Sequence, residues 1–489
     1  MSIQLIKIDA AWTSVKYGPM HSQALLQTPS PFWQFLTAFW RGLGGEAQQL
    51  QSVQLARADC PDLPSIFRVS DLAAASVAAA GCALSELVSG SLAGPHPVTV
   101  DKRQTSLWFA WSIRPDGWKM PAPWDPIAGD YATADGWIRL HTNAPHHRAA
   151  ALSVLGTPAD KGEVARAVSL WTADALETAI VEKGGCAAAM HSIAEWERHP
   201  QGSAVGAEPL VSQASLFSPS LPPSSWTPSP DRPLRGLRIL DLTRVLAGPV
   251  ATRFLAGFGA EVLRIDPPTW DEPGVIPEVT LGKRCARLDL RDREGRDTIW
   301  RLLGSADVLV HGYRADALEH LGFGPHERHA IRPGLIDVSL NAFGWSGPWR
   351  NRRGFDSLVQ MSSGIADAGM RRLQKDRPTP LPVQALDHAT GYLMAAAVIR
   401  GLTHRTQTGQ GTLARASLAR MAQLLIDQGA PRELSNSFAP AADSEYAPAI
   451  EQTDFGPVQR LNPPLQVGTA VMQWDRPACA LGSAEPAWL

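Results

Sequence analysis

Leu237-Arg-Ile-Leu-Asp-Leu242, followed by Thr243-Arg-Val-Leu-Ala-Gly-Pro249, Val250–Phe258 and Glu261-Val-Leu-Arg-Ile265, is the stretch that decides the fold. The first six residues form a short apolar run, the length of a strand buried on both faces. Ala247-Gly-Pro249 makes a turn, and Val250–Phe258 reads as a helix closed by Gly259. Glu261–Ile265 is a second strand, stopped by Pro267 and Pro268. The alternation continues with a strand at Ala286–Leu290, a helix at Asp292–Leu303, a strand at Asp307–Val310, a helix at Ala315–Leu321 and a strand at Leu335–Leu340. Strands and helices at this spacing predict an α/β unit with a Rossmann-like parallel sheet covered on both faces. Right-handed crossovers then put ligands at the carboxyl ends of the strands.

Downstream lies a Gly354-Phe-Asp356 turn, and then Asp387 opens an apolar helical run to about Leu402, broken at Thr408–Gly411 and followed by a strand to Ser417. From these residues alone Asp387 is either a helix N-cap or a nucleophilic carboxylate, and the two roles can coexist. Upstream, Leu216–Pro233 is rich in Ser and Pro and reads as a linker. Before it, Trp137–His141 alternates as a half-buried strand, with helices at His147–Leu155, Thr172–Glu182 and, capped by Ser192, 192–198. Residues 108–128 read as loop. In the first 115 residues, Phe32–Trp40 is a short helix, Asp71 starts an Ala-rich helix to about Val88, Gly94-Pro95 breaks the chain, and Val98–Val100 is a strand. Asp71 and Asp387 each follow a proline, Pro64 or Pro380, by the same interval. That match suggests an internal duplication. Asp71 is read as structural, because the glycine turns and cations upstream of Asp387 have no counterparts before it. The expected organisation is therefore a degenerate large-domain half (1–115), a small α+β domain (116–215), a linker (216–235), a Rossmann-like domain (236–430) and a Pro-rich wrapping segment (431–489).

The 489 residues carry a net charge of −2, so nothing points to nucleic acid or an anionic membrane as a partner. Five scattered cysteines without a Cys-x-x-Cys motif fit a reducing compartment better than a disulfide framework or a zinc site. With no leader-like pattern at the N-terminus, and with the Ala-rich run Leu72–Leu84 too short for a span, the expected location is cytoplasmic. Dinucleotide, P-loop, nucleophile-elbow and His-Glu-x-x-His motifs are absent. The pair His146-His147 reads as surface histidines, and no metal site is expected.

The order of motifs is specific. Asp241–Pro249, Phe258–Pro268, Gly282-Lys-Arg284, Leu288-Asp-Leu290, Ala306–Val310, Gly322-Phe-Gly324, Phe343–Pro348, Gly354-Phe-Asp356 and Asp387 together resemble the large domain of class III CoA-transferases, the CaiB/BaiF family, over residues 236–420. Asp135-Gly-Trp137 and Glu195–Gly202 resemble that family's small domain, and Pro463–Gly482 its C-terminal end. The resemblance implies that Asp387 is the nucleophile that forms an aspartyl-CoA intermediate, kept ionised by a helix N-terminus. It implies CoA contacts at Arg244, Val245, Leu246, Ala247, Lys283, Tyr313 and Asn341. It also implies an acyl-CoA and a small carboxylic acid as substrates, no permanently bound cofactor, and a homodimer. Two alternatives are a non-catalytic acyl-CoA binding protein and an acyl-CoA racemase. Racemases of the family carry His in place of Phe355, which transfers no protons. The departures are His311-Gly312 and His320 at family motif positions, a small-domain-like unit that precedes the large one, and no evident Gly-rich covering loop after residue 420.

Overall fold

The computed structural model describes residues 30–90, 96–214, 226–431, 433–434 and 437–489. The Gly94-Pro95 break and the Ser/Pro-rich stretch 215–225 lie outside them. The site rests on six parallel strands: β1 (Arg238–Leu242), β2 (Glu261–Asp266), β3 (Lys283–Arg287), β4 (Val308–His311), β5 (Ile336–Asn341) and β6 (Thr412–Ser417). They are ordered β3-β2-β1-β4-β5-β6, with Ser212–Ala214 antiparallel on the outer edge of β6. Successive side chains serve opposite faces. Ile239, Val262, Val308, Val310 and Val338 pack with the helices Ala247–Gly257 and Ala385–Thr408. Leu240, Leu263, Ile265 and Leu309 pack with Ile299, Leu302 and Leu303 of the helix Arg293–Gly304. Both faces are thus dry, as the sequence pattern requires. The strand order reverses between β1 and β4, and that point opens a crevice at their carboxyl ends.

The third strand lies three residues earlier than the apolar pattern placed it, at Lys283–Arg287 rather than Ala286–Leu290. Its first residue is a lysine that is 1% exposed. Lys283 Nζ donates to Asp241 Oδ2 and to the Pro249 carbonyl, both at 3.0 Å. Asp241 also accepts from the Thr243 and Thr252 hydroxyls. Burial opposes its ionisation, but Lys283, Arg264 and these hydroxyls outweigh it and hold the carboxyl below its ordinary range. A buried charge paired in this way passes as a strand residue, and nothing in a hydrophobic pattern reveals it.

The helix Val69–Ser89 packs along the helix Ala385–Thr408. It has 21 residues, longer than the Leu72–Leu84 run implied, and it is long and apolar enough to cross a bilayer; yet 89% of its apolar window is buried inside the protein. Beside it, Val53–Ala56 pairs in parallel with Val98–Asp101, and Leu465–Val467 and Ala470–Val471 extend that sheet. A hairpin of Tyr446–Thr453 and Gly456–Leu461 pairs with Ile113–Pro115. The Pro-rich C-terminal segment is therefore richer in strands than its composition suggested, and 108–128 is not all loop. The unit around Trp137–Leu140 is a three-stranded antiparallel sheet with its own core of Tyr131, Ile138, Leu140, Val164, Leu176 and Ile180. It also holds a helix, Lys161–Val168, that the sequence pattern did not signal. Cys186 and Ala188 of this unit pack on Leu358 and Met361.

Candidate functional site

A cavity of about 380 Å³ lies over the crevice between β1 and β4. Its floor is the turn after β1 (Arg244, Val245, Leu246 and Ala247) together with Tyr313 after β4 and Asn341 at the end of β5. Asp387 lines it too. All the residues named from the sequence therefore meet here except Lys283, whose ammonium is sealed beneath the sheet against Asp241. The expected CoA contact from Lys283 is corrected to an internal ion pair that braces the start of the Ala247–Gly257 helix through the Pro249 carbonyl. Asn341 is likewise engaged: its side chain bonds the Gly344 N–H and carbonyl and shapes the next turn. His320 stands on the surface, 3.8 Å from Asp316.

The first turn is held under tension. Val245 has φ +65°, a left-handed conformation that a β-branched residue rarely adopts. Its N–H donates to Glu272 Oε2 at 2.8 Å, and the same oxygen accepts from Trp270 Nε1 at 3.0 Å. Arg244 beside it lies 5.0 Å from the ring centres of both Trp270 and Tyr313. That aromatic clamp orients the guanidinium without neutralising it. Arg314 and Arg353 also line the cavity. Among the described residues, none of these three arginines is ion-paired with a carboxylate. Arg352, by contrast, is tied to Glu177 at 2.8 Å. Three unpaired cations in a crevice suit a polyanion such as a nucleotide phosphate chain.

Asp387 is not the helix cap. The helix runs Ala385–Thr408 with Gln384 at the cap position, and Asp387 is its third residue. Capping comes from a distance: Asp356 Oδ2 accepts the Asp387 N–H at 2.9 Å. Gln360 Nε2 holds the other Asp356 oxygen. Burial pushes the fully buried Asp356 carboxyl up to about 6, against the pull of these donors. Burial first, and then the charge of Asp356, push Asp387 well above the usual carboxylate range. Against the expectation that the helix N-terminus keeps Asp387 ionised, burial and the Asp356 charge both favour its protonated form.

The small unit forms one wall of the cavity. His146 and His147, from the helix Pro145–Leu155, face it, as do Gly354 and Phe355. His147 is buried rather than superficial: its Nε2 lies 3.5 Å from Cys186 Sγ, and burial lowers its pKa to about 3. His141 stacks on Phe355 with ring centres 3.7 Å apart. No group of three metal-ligating side chains occurs among the described residues. The sequence reading missed Trp270, Glu272, Arg353 and the capping role of Asp356. The Gly354-Phe-Asp356 motif was the available signal for the last of these. Arg314, at the ligand edge of β4 by its place in the sequence, does line the cavity.

Residues 234–455 match the model of CoA-transferase family III. A probable fatty acyl-CoA transferase of Mycobacterium tuberculosis is 34% identical over 197 residues, covering 37% of this chain and 50% of that protein. The human succinyl-CoA:glutarate CoA-transferase is 33% identical over 205 residues, covering 38% of this chain and 46% of that protein. A crystal structure of a CaiB/BaiF family protein from Brucella suis aligns at 28% identity with a TM-score of 0.37, over 46% of this chain and 65% of that one. The chain spans about half the length of these curated relatives.

Proposed function

We propose that the protein, whose residues 234–455 match the model of CoA-transferase family III, moves CoA from an acyl-CoA donor to a small carboxylic acid through covalent catalysis on Asp387. The observation that carries this reading is the placement of Asp387, a carboxyl without a cation partner, on the wall of a cavity lined also by four arginines, of which Arg244, Arg314 and Arg353 have no carboxylate partner among the described residues. The arginines bind the phosphates of CoA, and the Val245 turn lies under the pantetheine arm. Once it has lost its proton, the Asp387 carboxylate attacks the thioester carbonyl. The C–S bond breaks, CoA leaves as thiolate, and a mixed anhydride remains. The thiolate attacks the Asp387 carbonyl, releasing the first acid and forming the aspartyl-CoA thioester. The acceptor carboxylate attacks that thioester to give a second mixed anhydride and CoA thiolate, which then attacks the acceptor's carbonyl. New acyl-CoA leaves and Asp387 is restored. Splitting one exchange into four displacements between thioester and anhydride keeps each step near balance. Five free cysteines among the described residues suit the cytoplasm, and a homodimer belongs to the same reading.

The test is trapping. The protein is incubated with an acyl-CoA, quenched with hydroxylamine or borohydride, and mapped by peptide mass spectrometry. Modification confined to the peptide carrying Asp387 is the expected result. Unmodified Asp387 with acetyl-, hexanoyl-, phenylacetyl- and glutaryl-CoA alike would overturn the reading.

A further inference from the structure

A second cavity, of about 210 Å³, adjoins the first and shares three wall residues with it: Val245, Trp270 and Phe355. At about 30 Å³ per water this is the space of roughly seven waters, enough for a ring with a short arm or a medium aliphatic chain. Its walls come from the small unit and from the 270–275 loop: Trp124, Pro123, Pro273 and Val275 with the Phe355 face.

The charges around it are one-sided. Among the described residues, no arginine or lysine lines this cavity. Arg139 sits over the Trp124 ring at 4.9 Å and is paired with Asp130. Asp125 is paired with Arg148 at 3.3 Å and also holds the Thr142 hydroxyl. Glu272 is engaged by Arg264, Trp270 and the Val245 N–H. Asp271 is exposed on the rim, its carboxylate taking only the neighbouring Glu272 N–H among the described contacts. One polar group remains. His141 lines the cavity, is 5% exposed, and its Nδ1 has no partner. It lies flat on Phe355 and edge-on to Trp124 at 5.9 Å.

We propose that this second cavity receives the acyl group of the substrate and selects aromatic or medium-length aliphatic acids, uncharged at the far end and with room for one hydrogen-bonding group at His141. It rejects dicarboxylic acids. A distal carboxylate would meet no cation there, and it would lose its water beside Asp271, which a buried ion tolerates only with a partner. The proposal rests on the transferase reading of the first cavity. Phe355 gives the ring a stacking face in the position where a proton-transferring residue would otherwise stand.

The experiment compares phenylacetyl-CoA and hexanoyl-CoA with succinyl-CoA and glutaryl-CoA on the full chain, following adduct formation at Asp387 and kcat/KM. The uncharged donors are expected to be favoured by about tenfold or more. Trp124→Ala should cut kcat/KM for phenylacetyl-CoA about tenfold relative to acetyl-CoA. Asp271→Lys should raise glutaryl-CoA relative to phenylacetyl-CoA. Preference for the dicarboxyl donors, or ratios that neither variant moves, overturns the cavity assignment and leaves the transferase reading intact. If no donor forms an adduct, the transferase reading fails. Calorimetric binding of the same four thioesters then decides the cavity, and tighter glutaryl-CoA binding counts against it.

Discussion

Asp71 and Asp387 sit in the same local architecture and behave differently. Each is the third residue of a long buried helix, Val69–Ser89 or Ala385–Thr408. Each helix leads into a strand with a parallel neighbour and then a further helix, Lys102–Trp108 or Leu418–Asp427. The two helices pack on one another. The partners differ. Lys102 Nζ lies 3.1 Å from Asp71 and 2.8 Å from Asp62. Burial pushes the Asp71 carboxyl up, while Lys102 and Arg68 pull it back. Asp387 has no such cation; its nearest charged neighbour is Asp356, which raises it further. One acid is paired with a lysine, and the other lines an open cavity without a cation partner. Helix position alone therefore does not make a nucleophile. We propose that the N-terminal half is a duplicated copy in which a lysine has closed the site.

The largest effect expected from this contrast is on turnover. Asp387→Asn should reduce CoA transfer by roughly three orders of magnitude or more and abolish the trapped adduct. Asp71→Asn should leave kcat/KM within about twofold, since it lies outside the cavity. Steady-state assays of both variants would break the comparison if Asp71→Asn lost activity while folded.

The next effect is on stability and falls on the other helix. Lys102→Met leaves Asp71 and Asp62 without their common cation in a site where Lys102 is 7% exposed. Breaking a buried pair from one side costs about 3 kcal/mol. Denaturant unfolding should show that loss, while the native fraction keeps its kcat.

How much of this could be read in advance follows from what each signal depends on. β1, β2, β4 and β5 were legible because their apolar runs are local and bounded by Gly or Pro. The crevice followed from strand–helix alternation, since parallel order fixes which edge faces ligand. Lys283 was misplaced because its partner Asp241 lies 42 residues away, and no local pattern separates a buried cation from a solvated one. Asp356 was noticed only for its neighbour Phe355. Its bond to the Asp387 N–H spans 31 residues and exists only once the two helices are packed. The strands in the C-terminal segment were hidden for the same reason: they pair with Ile113–Pro115 and Val98–Asp101 at the other end of the chain.

A smaller effect separates Asp356 from Asp387 in pH. Burial raises Asp387 most, and the charge of Asp356, itself pushed up to about 6, raises it further. Asp356→Asn retains an oxygen to accept the Asp387 N–H but removes the charge. The pKa of Asp387 must then fall, so the rise of adduct formation with pH should move to lower pH than in the wild type. Rapid-quench acylation rates across pH 5–9 check this; an unchanged or upward-shifted profile would show that burial alone sets the ionisation of Asp387.

The smallest effect is thermal, and its size distinguishes the two helices. An aspartate in the unfolded chain titrates near 3.9. Asp387 titrates higher in the folded state, so above pH 4 the folded protein holds a proton that the unfolded chain has released. Stability that is present below pH 4 is then lost as pH rises toward the folded value. Asp387→Asn has no proton to lose. The difference in Tm between this variant and the wild type should be near zero at pH 4 and should grow in favour of the variant, to on the order of 1–3 °C at pH 8. Burial raises the Asp71 carboxyl as well, so Asp71→Asn should shift in the same direction but by less, because Lys102 and Arg68 pull its carboxyl back toward the ordinary range. Scanning calorimetry of the wild type and the two variants at pH 4 and pH 8 gives the six Tm values needed. An Asp71→Asn shift as large as that of Asp387→Asn would mean that the two helices hold their acids in equivalent states, and the division into one cation-paired and one unpaired acid would fall.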